Sequence, residues 1–203
     1  DSLKNQTYKN FDVIVLNDGY KDFKKIKTAY DQTLNIIELK SSNTPAKNRE
    51  YGINYCIDHK YDVLIFGDSD DYFKNNRVDK SLELLKKVDI VVNDLSLFDE
   101  NGVYEEKYLS HRLKNLDLVD FEFITNKNIF GLSNTAIKLE NISKVTFGNE
   151  ILAVDWHFFK TLLKQGLKAI FTNETVSFYR QYENNTIGLS VEDNKYYLWW
   201  EKR

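Results

Sequence analysis

Short apolar runs alternate with amphipathic segments through the first half of the chain, and this alternation constrains the fold more than any other feature. Four runs have the length and composition of buried strands: 11–18, 35–39, 61–66 and 88–94. Segments 45–59 and 77–87 repeat apolar residues at helical spacing. Because strands that alternate with helices are typical of parallel sheets, we predict an α/β domain with a mainly parallel central sheet flanked by helices.

The second half of the chain predicts a less regular succession of elements. Residues 95–106 carry Glu-Asn-Gly between apolar stretches, which predicts a hairpin. Residues 116–127 are expected to be helical and residues 130–139 extended. A further helix is predicted over 155–166, ended by a glycine, and one or two strands over 168–180.

Size and charge exclude several classes of function. The 203 residues fit one globular domain, and the net charge of −3 offers no basic surplus for nucleic acid or an anionic membrane. Cys56 has no partner for an internal disulfide, which favours a reducing compartment. No apolar run reaches the roughly 18–20 residues of a membrane span, and no signal peptide opens the chain. We therefore expect a cytoplasmic protein without a transmembrane segment.

Acidic residues follow two of the predicted strands. Asp68, Asp70 and Asp71 follow run 61–66, and Asp18 follows the first run. Ligands of open parallel sheets bind beyond the carboxyl ends of the strands, so both sets should face one crevice. Magnesium typically takes one or two protein carboxylates plus substrate phosphate oxygens. The Asp-x-Asp therefore predicts a metal–diphosphate site; the alternative is a turn cap at Asp68 with the other acids solvated.

Two other acidic motifs can be tested by their spacing. A calcium loop starting at Asp68 needs an oxygen ligand at its fifth position and glycine at its sixth, where Tyr72 and Phe73 stand, so this motif fails. Phosphatases with an aspartyl nucleophile usually have Thr or Val where Tyr72 stands. That reading is weakened but stays open.

Five blocks of the sequence together resemble family 2 glycosyltransferases of the GT-A fold. In order they are SLKNQTYKNFDVIVLNDGY, NTPAKNREYGI, YDVLIFGDSDDYF, AVDWHFFKTLLKQG and FYRQYENNTIG. The resemblance spans nearly the whole chain. It implies a single domain over 1–203, in which 1–94 form the nucleotide-binding half and 95–203 the acceptor half and C-terminal segment.

The resemblance implies roles for residues of the nucleotide-binding half. Asp18 matches the acid that contacts the nucleotide base. Lys47, with Asn48 beside it, stands where the family often has an arginine near the diphosphate. Asp68 and Asp70 match the Asp-x-Asp, in which the first acid reaches the ribose and the second binds the metal, Mg²⁺ or Mn²⁺.

The acceptor half carries the implied base. Asp155 matches the second acid of the family's Glu-Asp pair, which takes the proton of the acceptor, and Val154 replaces the first acid. The alternative role of Asp155 is to cap the helix that follows. Arg180 lies in a block near the donor phosphates and acceptor, where it would pair with phosphate; a surface arginine is the alternative.

The implied function is inverting sugar transfer of the hexosyltransferase type. The donor would be a nucleoside diphosphate sugar, most often a UDP-sugar, and the acceptor a saccharide or lipid-linked hydroxyl. The expected setting is bacterial surface glycan synthesis, in the cytoplasm or at the inner membrane face. The family's first strand, Pro-x-Tyr-Asn, has no counterpart here, and because the chain lacks Met at position 1 we expect an excerpt of a longer protein. That missing strand and Val154 favour one alternative, a non-catalytic sugar-nucleotide-binding module; the other is the phosphatase.

Overall fold

The computed structural model describes residues 1–125, 127–148, 151 and 153–182. Strands and helices alternate through the first half and are less regular afterwards. The elements are β1 (Asp12–Asn17), α1 (Phe23–Tyr30), β2 (Asn35–Lys40), α2 (Pro45–Asp58), β3 (Val63–Ile65), β4 (Tyr72–Phe73), α3 (Arg77–Leu85), β5 (Ile90–Asp99), β6 (Gly102–Glu105), β7 (Leu118–Val119), α4 (Phe121–Thr125), β8 (Thr135–Lys138), α5 (Val154–Lys164) and β9 (Ala169–Arg180). The α/β prediction is confirmed.

The strands of the described residues form two separate sheets. β1 and β2 pair in parallel as a two-stranded sheet, and the other strands form a seven-stranded sheet with the order β3-β8-β5-β9-β4, to which β6 adds on β5 and β7 on β9. Within that larger sheet, the pairing of β5 with β9 is parallel and the other described pairings are antiparallel. The expectation of a mainly parallel sheet was wrong. Parallel neighbours need a long crossover, and much of the second half is linked by hairpins and loops instead.

Local signals explain several element boundaries. Pro45 opens α2, and the Thr44 hydroxyl accepts the backbone N–H of Lys47 at 3.4 Å. Gly166, with φ of +94°, follows the end of α5 in the left-handed region that favours glycine. The predicted hairpin is confirmed, because Asp99 of β5 pairs with Gly102 of β6.

The predicted helix over 116–127 was only partly correct. Leu116 has a left-handed φ of +68° and donates its N–H to Phe171 at 2.8 Å, and β7 pairs with β9. The helix therefore starts only at Phe121, after Asp120 accepts the N–H of Phe123 at 2.8 Å. Pairing of β7 with β9 therefore determines the structure of this segment, although its apolar residues have helical spacing. A single strand, β9, covers segment 168–180 except for its first residue, and no pattern in the sequence predicted α1 or β4.

Helices cover both faces of the seven-stranded sheet. Alternate residues of β5 point to opposite faces: Ile90 and Val92 pack into a large cluster with α2 and α5, while Val91 packs with Leu85 of α3. The fully buried rings of Phe130, Phe159 and Phe171 fill the large cluster. None of the helices in the described ranges combines the length and apolarity needed to cross a bilayer.

Candidate active site

Residues 68–71, which include Asp68, Asp70 and Asp71, lie in the loop between β3 and β4. The N–H of Asp68 donates to Ser133 Oγ at 2.9 Å, just before β8. At the other end of the loop, Asp71 Oδ1 accepts the N–H of Arg180 at 2.8 Å. The segment before β8 and strand β9 therefore hold this loop, which we call the acidic loop. Within it Asp70 is exposed, whereas Asp68 and Asp71 are half-buried.

No ion pair among the described residues neutralises the negative charge of the acidic loop. Burial raises the pKa of Asp68, the charge of Asp70 raises it further, and Arg49 opposes the shift. Burial, with the charges of Asp70 and Asp68, raises the pKa of Asp71 to about 6. No Lys or Arg forms a salt bridge with these three carboxylates in the described ranges. Asp71 Oδ2 is buried and has no hydrogen-bond partner among the described residues. Such a loop is suited to bind a cation.

Asp155 lies within electrostatic reach of the acidic loop. Burial raises its pKa; the charge of Asp68 adds to the shift, and Arg49 opposes it. Its Oδ1 accepts the N–H of Trp156 at 2.8 Å. Ala153 occupies the capping position of α5 and Asp155 lies in the first helical turn, so the capping alternative was wrong. The structure thus places Asp155 near enough to Asp68 for their charges to interact, although the two residues lie far apart in sequence.

Asp18 is exposed in the turn after β1. Asn17 shapes this turn: its side chain donates to the Glu38 carboxylate at 2.6 Å and to the Tyr20 carbonyl at 3.0 Å, and accepts the N–H of Tyr20 at 2.8 Å. A cavity of about 630 Å³ opens beside the ends of β1 and β2 and is lined in part by Asn17, Gly19, Tyr20 and Ser41. The carboxyl ends of this parallel pair therefore border open space. Neither Asp18 nor an acid of residues 68–71 is among the residues that line it, so the expectation that both acidic sets face one crevice stays a prediction.

Lys47 and Asn48 have partners of their own at the start of α2. Lys47 Nζ lies 2.7 Å from the Glu50 carboxylate, which also accepts the N–H of Phe147 at 2.6 Å. Asn48 Oδ1 accepts the hydroxyl of Ser41. These contacts link α2 to its neighbouring loops. The diphosphate role of both residues stays a prediction.

Arg180 contacts the acidic loop directly. Its Nε–H donates to the Asp70 carbonyl at 3.2 Å, and its guanidinium lies 4.4 Å from the centroid of the Phe98 ring. Tyr72, the residue after Asp71, stacks on Phe178 with 4.2 Å between ring centroids. Arg180 is thus beside the residues proposed to bind the donor, and its role there also stays a prediction.

Sequence reasoning missed three residues near the acidic loop and Asp155. Arg49 acts on both Asp68 and Asp155. Tyr179 has its pKa raised to about 12 by burial and by the nearby acidic charges. Arg77 is buried beneath the acidic loop. The only available signal was position: Arg49 is two residues beyond Lys47, and Tyr179 precedes Arg180.

Sequence comparisons find glycosyltransferases. The family model described as Glycosyl transferase family 2 matches residues 1–157. An uncharacterized glycosyltransferase of Haemophilus influenzae is 26% identical over 96% of this chain and 75% of its own length. The putative teichuronic acid biosynthesis glycosyltransferase TuaG of Bacillus subtilis is 23% identical over the same shares, 96% and 75%. The O-antigen biosynthesis glycosyltransferase WbnJ of Escherichia coli is 27% identical over 71% of this chain and 56% of its own.

Two solved structures have folds similar to that of this chain. S. aureus TarS in complex with UDP-GlcNAc has a TM-score of 0.69 and 15% identity, over 93% of this chain and 55% of its own. The mannosyltransferase PcManGT from Pyrobaculum calidifontis, in complex with GDP-Man and Mn²⁺, has a TM-score of 0.63 and 15% identity, over 91% of this chain and 52% of its own. The chain thus spans about half the length of these solved chains. The likeness confirms the GT-A fold.

Proposed function

Because this chain belongs to glycosyl transferase family 2, we propose that it transfers a sugar from a nucleoside diphosphate sugar to a hydroxyl acceptor, with inversion at the anomeric carbon. One observation carries the proposal: Asp155 lies near enough to the acidic loop for the charge of Asp68 to act on it, and no ion pair in the described ranges offsets the negative charge of that loop. Transfer needs a base for the acceptor and a stabilised leaving group, and Asp155 and the acidic loop offer groups for both.

The acidic loop fits a divalent cation, Mg²⁺ or Mn²⁺, held by Asp70 with Asp68 directed to the ribose. Carboxylate oxygens are the ligands such cations prefer. Asp71 Oδ2, which has no hydrogen-bond partner among the described residues, adds negative charge that a cation would offset. No three acidic, His or Cys side chains of the described residues meet as a metal group, so the diphosphate would supply further ligands. When bound, the cation would stabilise negative charge on the departing diphosphate.

Asp155 would act as the general base. The acceptor hydroxyl gives its proton to the Asp155 carboxylate while its oxygen bonds to the anomeric carbon. The bond from that carbon to the diphosphate oxygen breaks, and its electron pair leaves with the diphosphate. A raised pKa suits this role, because a base works best when its pKa lies nearer the working pH.

The other predicted residues would bind the donor. Asp18 would read the base, and Lys47, Asn48 and Arg180 would lie along the phosphates. A UDP-sugar is the donor we propose, as TarS binds UDP-GlcNAc. The acceptor would be a saccharide or lipid-linked hydroxyl in bacterial surface glycan synthesis, the process named for TuaG and WbnJ. Residues 1–94 would form the nucleotide half of the domain and 95–203 the acceptor half.

A binding module of the same fold is the second candidate. Val154, where the family has an acid, is 3% exposed and packs into the large apolar cluster, so this block supplies a single acid. The phosphatase alternative is not supported, because the chain belongs to glycosyl transferase family 2.

Incubation of the full-length protein with UDP- and GDP-sugars and Mn²⁺ separates these functions. Release of free nucleoside diphosphate, faster when an acceptor glycan is added, is expected for a transferase. Tight nucleotide binding without release would favour the module. Absence of both binding and release would refute the proposal.

A further inference from the structure

Arg77, the first residue of α3, is only 2% exposed. A guanidinium is rarely this buried unless a carboxylate pairs with it. In the described ranges Arg77 forms no salt bridge, although Asp71 and Asp68 act on its charge from nearby. Burying a guanidinium without a salt bridge lowers the stability of the fold, so we expect Arg77 to have a specific function.

The contacts of Arg77 lie at both ends of the acidic loop. Its Nη2–H donates to the carbonyl of Phe66, two residues before Asp68, at 2.7 Å. Its guanidinium carbon lies 4.3 Å from the ring centroid of Phe73, two residues after Asp71. One planar group therefore bridges the chain that enters the loop and the chain that leaves it.

The two ends of the loop also touch each other. A Cβ atom added to Gly67 would lie 2.8 Å from the tip of the Phe73 ring, so this ring already packs against the Gly67 backbone. Only glycine allows so close an approach here. Phe66, Gly67 and Phe73, with Arg77 against them, thus form the base of the acidic loop.

Arg77 is itself anchored to the centre of the large sheet. Its Nε–H donates to Asn93 Oδ1 at 3.1 Å. The Asn93 amide in turn donates to the Asp94 carbonyl at 2.8 Å and to Ser177 Oγ at 3.1 Å. The bridge across the loop base is therefore fixed to β5 and β9 rather than to mobile surface groups.

We propose that Arg77 is a positioning residue that clamps the two ends of the acidic loop and so sets the placement of Asp68 and Asp70 toward a divalent cation and a nucleoside diphosphate. The inference rests on the proposed function, because it concerns how that site is held. Arginine suits the task since its planar fork donates in fixed directions while its face stacks on an aromatic ring; the lysine ammonium is a point charge. Its buried charge also offsets repulsion between the carboxylates above it.

The test measures Mn²⁺ binding in the presence of UDP by electron paramagnetic resonance of free Mn²⁺, on full-length protein below its unfolding temperature. Arg77→Lys keeps a basic side chain of similar length and loses the planar fork. Leu85→Ala is the matched control: Leu85 is also 2% exposed on α3 but packs in the smaller apolar cluster. We expect both variants to unfold at lower temperature. Only Arg77→Lys should weaken Mn²⁺ affinity, by about 10–100-fold, as for other residues that orient metal ligands.

Two results would overturn the inference: wild-type affinity in folded Arg77→Lys, or an equal loss of affinity in Leu85→Ala. If Arg77→Lys fails to fold, Phe73→Leu replaces it, because this change keeps an apolar side chain and removes the ring between Gly67 and Arg77. Unchanged affinity in folded Phe73→Leu would then overturn the clamp. Failure of the wild-type protein to bind Mn²⁺ and UDP at all would instead refute the proposed function.

Discussion

Asp155→Asn separates the chemistry of this residue from its structural role. The Oδ1 of Asp155 accepts the N–H of Trp156, and an asparagine offers an oxygen at the same place. The variant loses a favourable acid in the first turn of α5, worth about 0.3–1 kcal/mol, and is relieved of a half-buried charge close to Asp68. These effects oppose one another, so we expect the unfolding temperature to move by less than about 3 °C.

Turnover should respond far more strongly. A positioned general base contributes about 10²–10⁴-fold to a rate, equivalent to about 3–5 kcal/mol of transition-state free energy. Release of UDP at saturating donor and acceptor measures turnover, and calorimetry measures the affinity for UDP with Mn²⁺. We expect turnover to fall by about 10²-fold or more while the nucleotide affinity stays within a few-fold of wild type, because other residues would hold the donor.

Asp120→Asn is the matched control. It makes the same chemical change at the start of another helix, where Asp120 accepts the N–H of Phe123 and is exposed. This control should keep full turnover. Wild-type turnover in Asp155→Asn would refute its role as the base, and global unfolding of that variant would show that the carboxylate serves the fold.

Three further results are expected. Asp70→Ala should weaken UDP binding when Mn²⁺ is present and leave metal-free binding unchanged, since Asp70 is the proposed metal ligand. Calorimetry with and without EDTA measures both affinities, and a UDP affinity equal to that of wild type under both conditions would refute the role of Asp70 as metal ligand. Asp18→Ala should weaken UDP binding without changing the preference between Mg²⁺ and Mn²⁺, and a changed preference would contradict base reading. Without metal or nucleotide, stability should fall as the pH rises from about 4 to about 6, because the raised pKa of Asp71 favours the protonated folded state. Thermal unfolding across this range should therefore show a slope that Asp71→Asn reduces, and an unchanged slope would argue against the shift.

The parts of the site that one stretch of chain encodes were predictable from sequence. An apolar run that ends in Asp68, Asp70 and Asp71 predicts a buried strand and an acidic loop, and Pro45 marks the start of a helix. Asp155 could be tied to this loop only through the family resemblance, because 83 residues of intervening chain carry no local sign of the contact.

The parts that depend on tertiary packing were not predictable. Arg77 reads as an ordinary charged residue at the start of an amphipathic helix, and its burial depends on the Phe66 carbonyl and Asn93. The mixed sheet was not predicted for a similar reason. Whether two strands pair in parallel or antiparallel depends on the path of the chain between them, which tertiary packing determines. Two-residue β4 is too short to show a period of its own.

The separation of the two sheets has a consequence for hydrogen exchange. Neither β1 nor β2 has a second partner among the described strands, and a lone pair of strands is only marginally stable in water. Their order depends on side-chain contacts, such as that between Leu16 and Gly52 of α2. In a protein of residues 1–203, amides of β1 should therefore open and exchange more readily than those of β5, which has neighbours on both edges. Since Asp18 follows β1 directly, a nucleotide bound there would slow this exchange and spend part of its binding free energy in doing so.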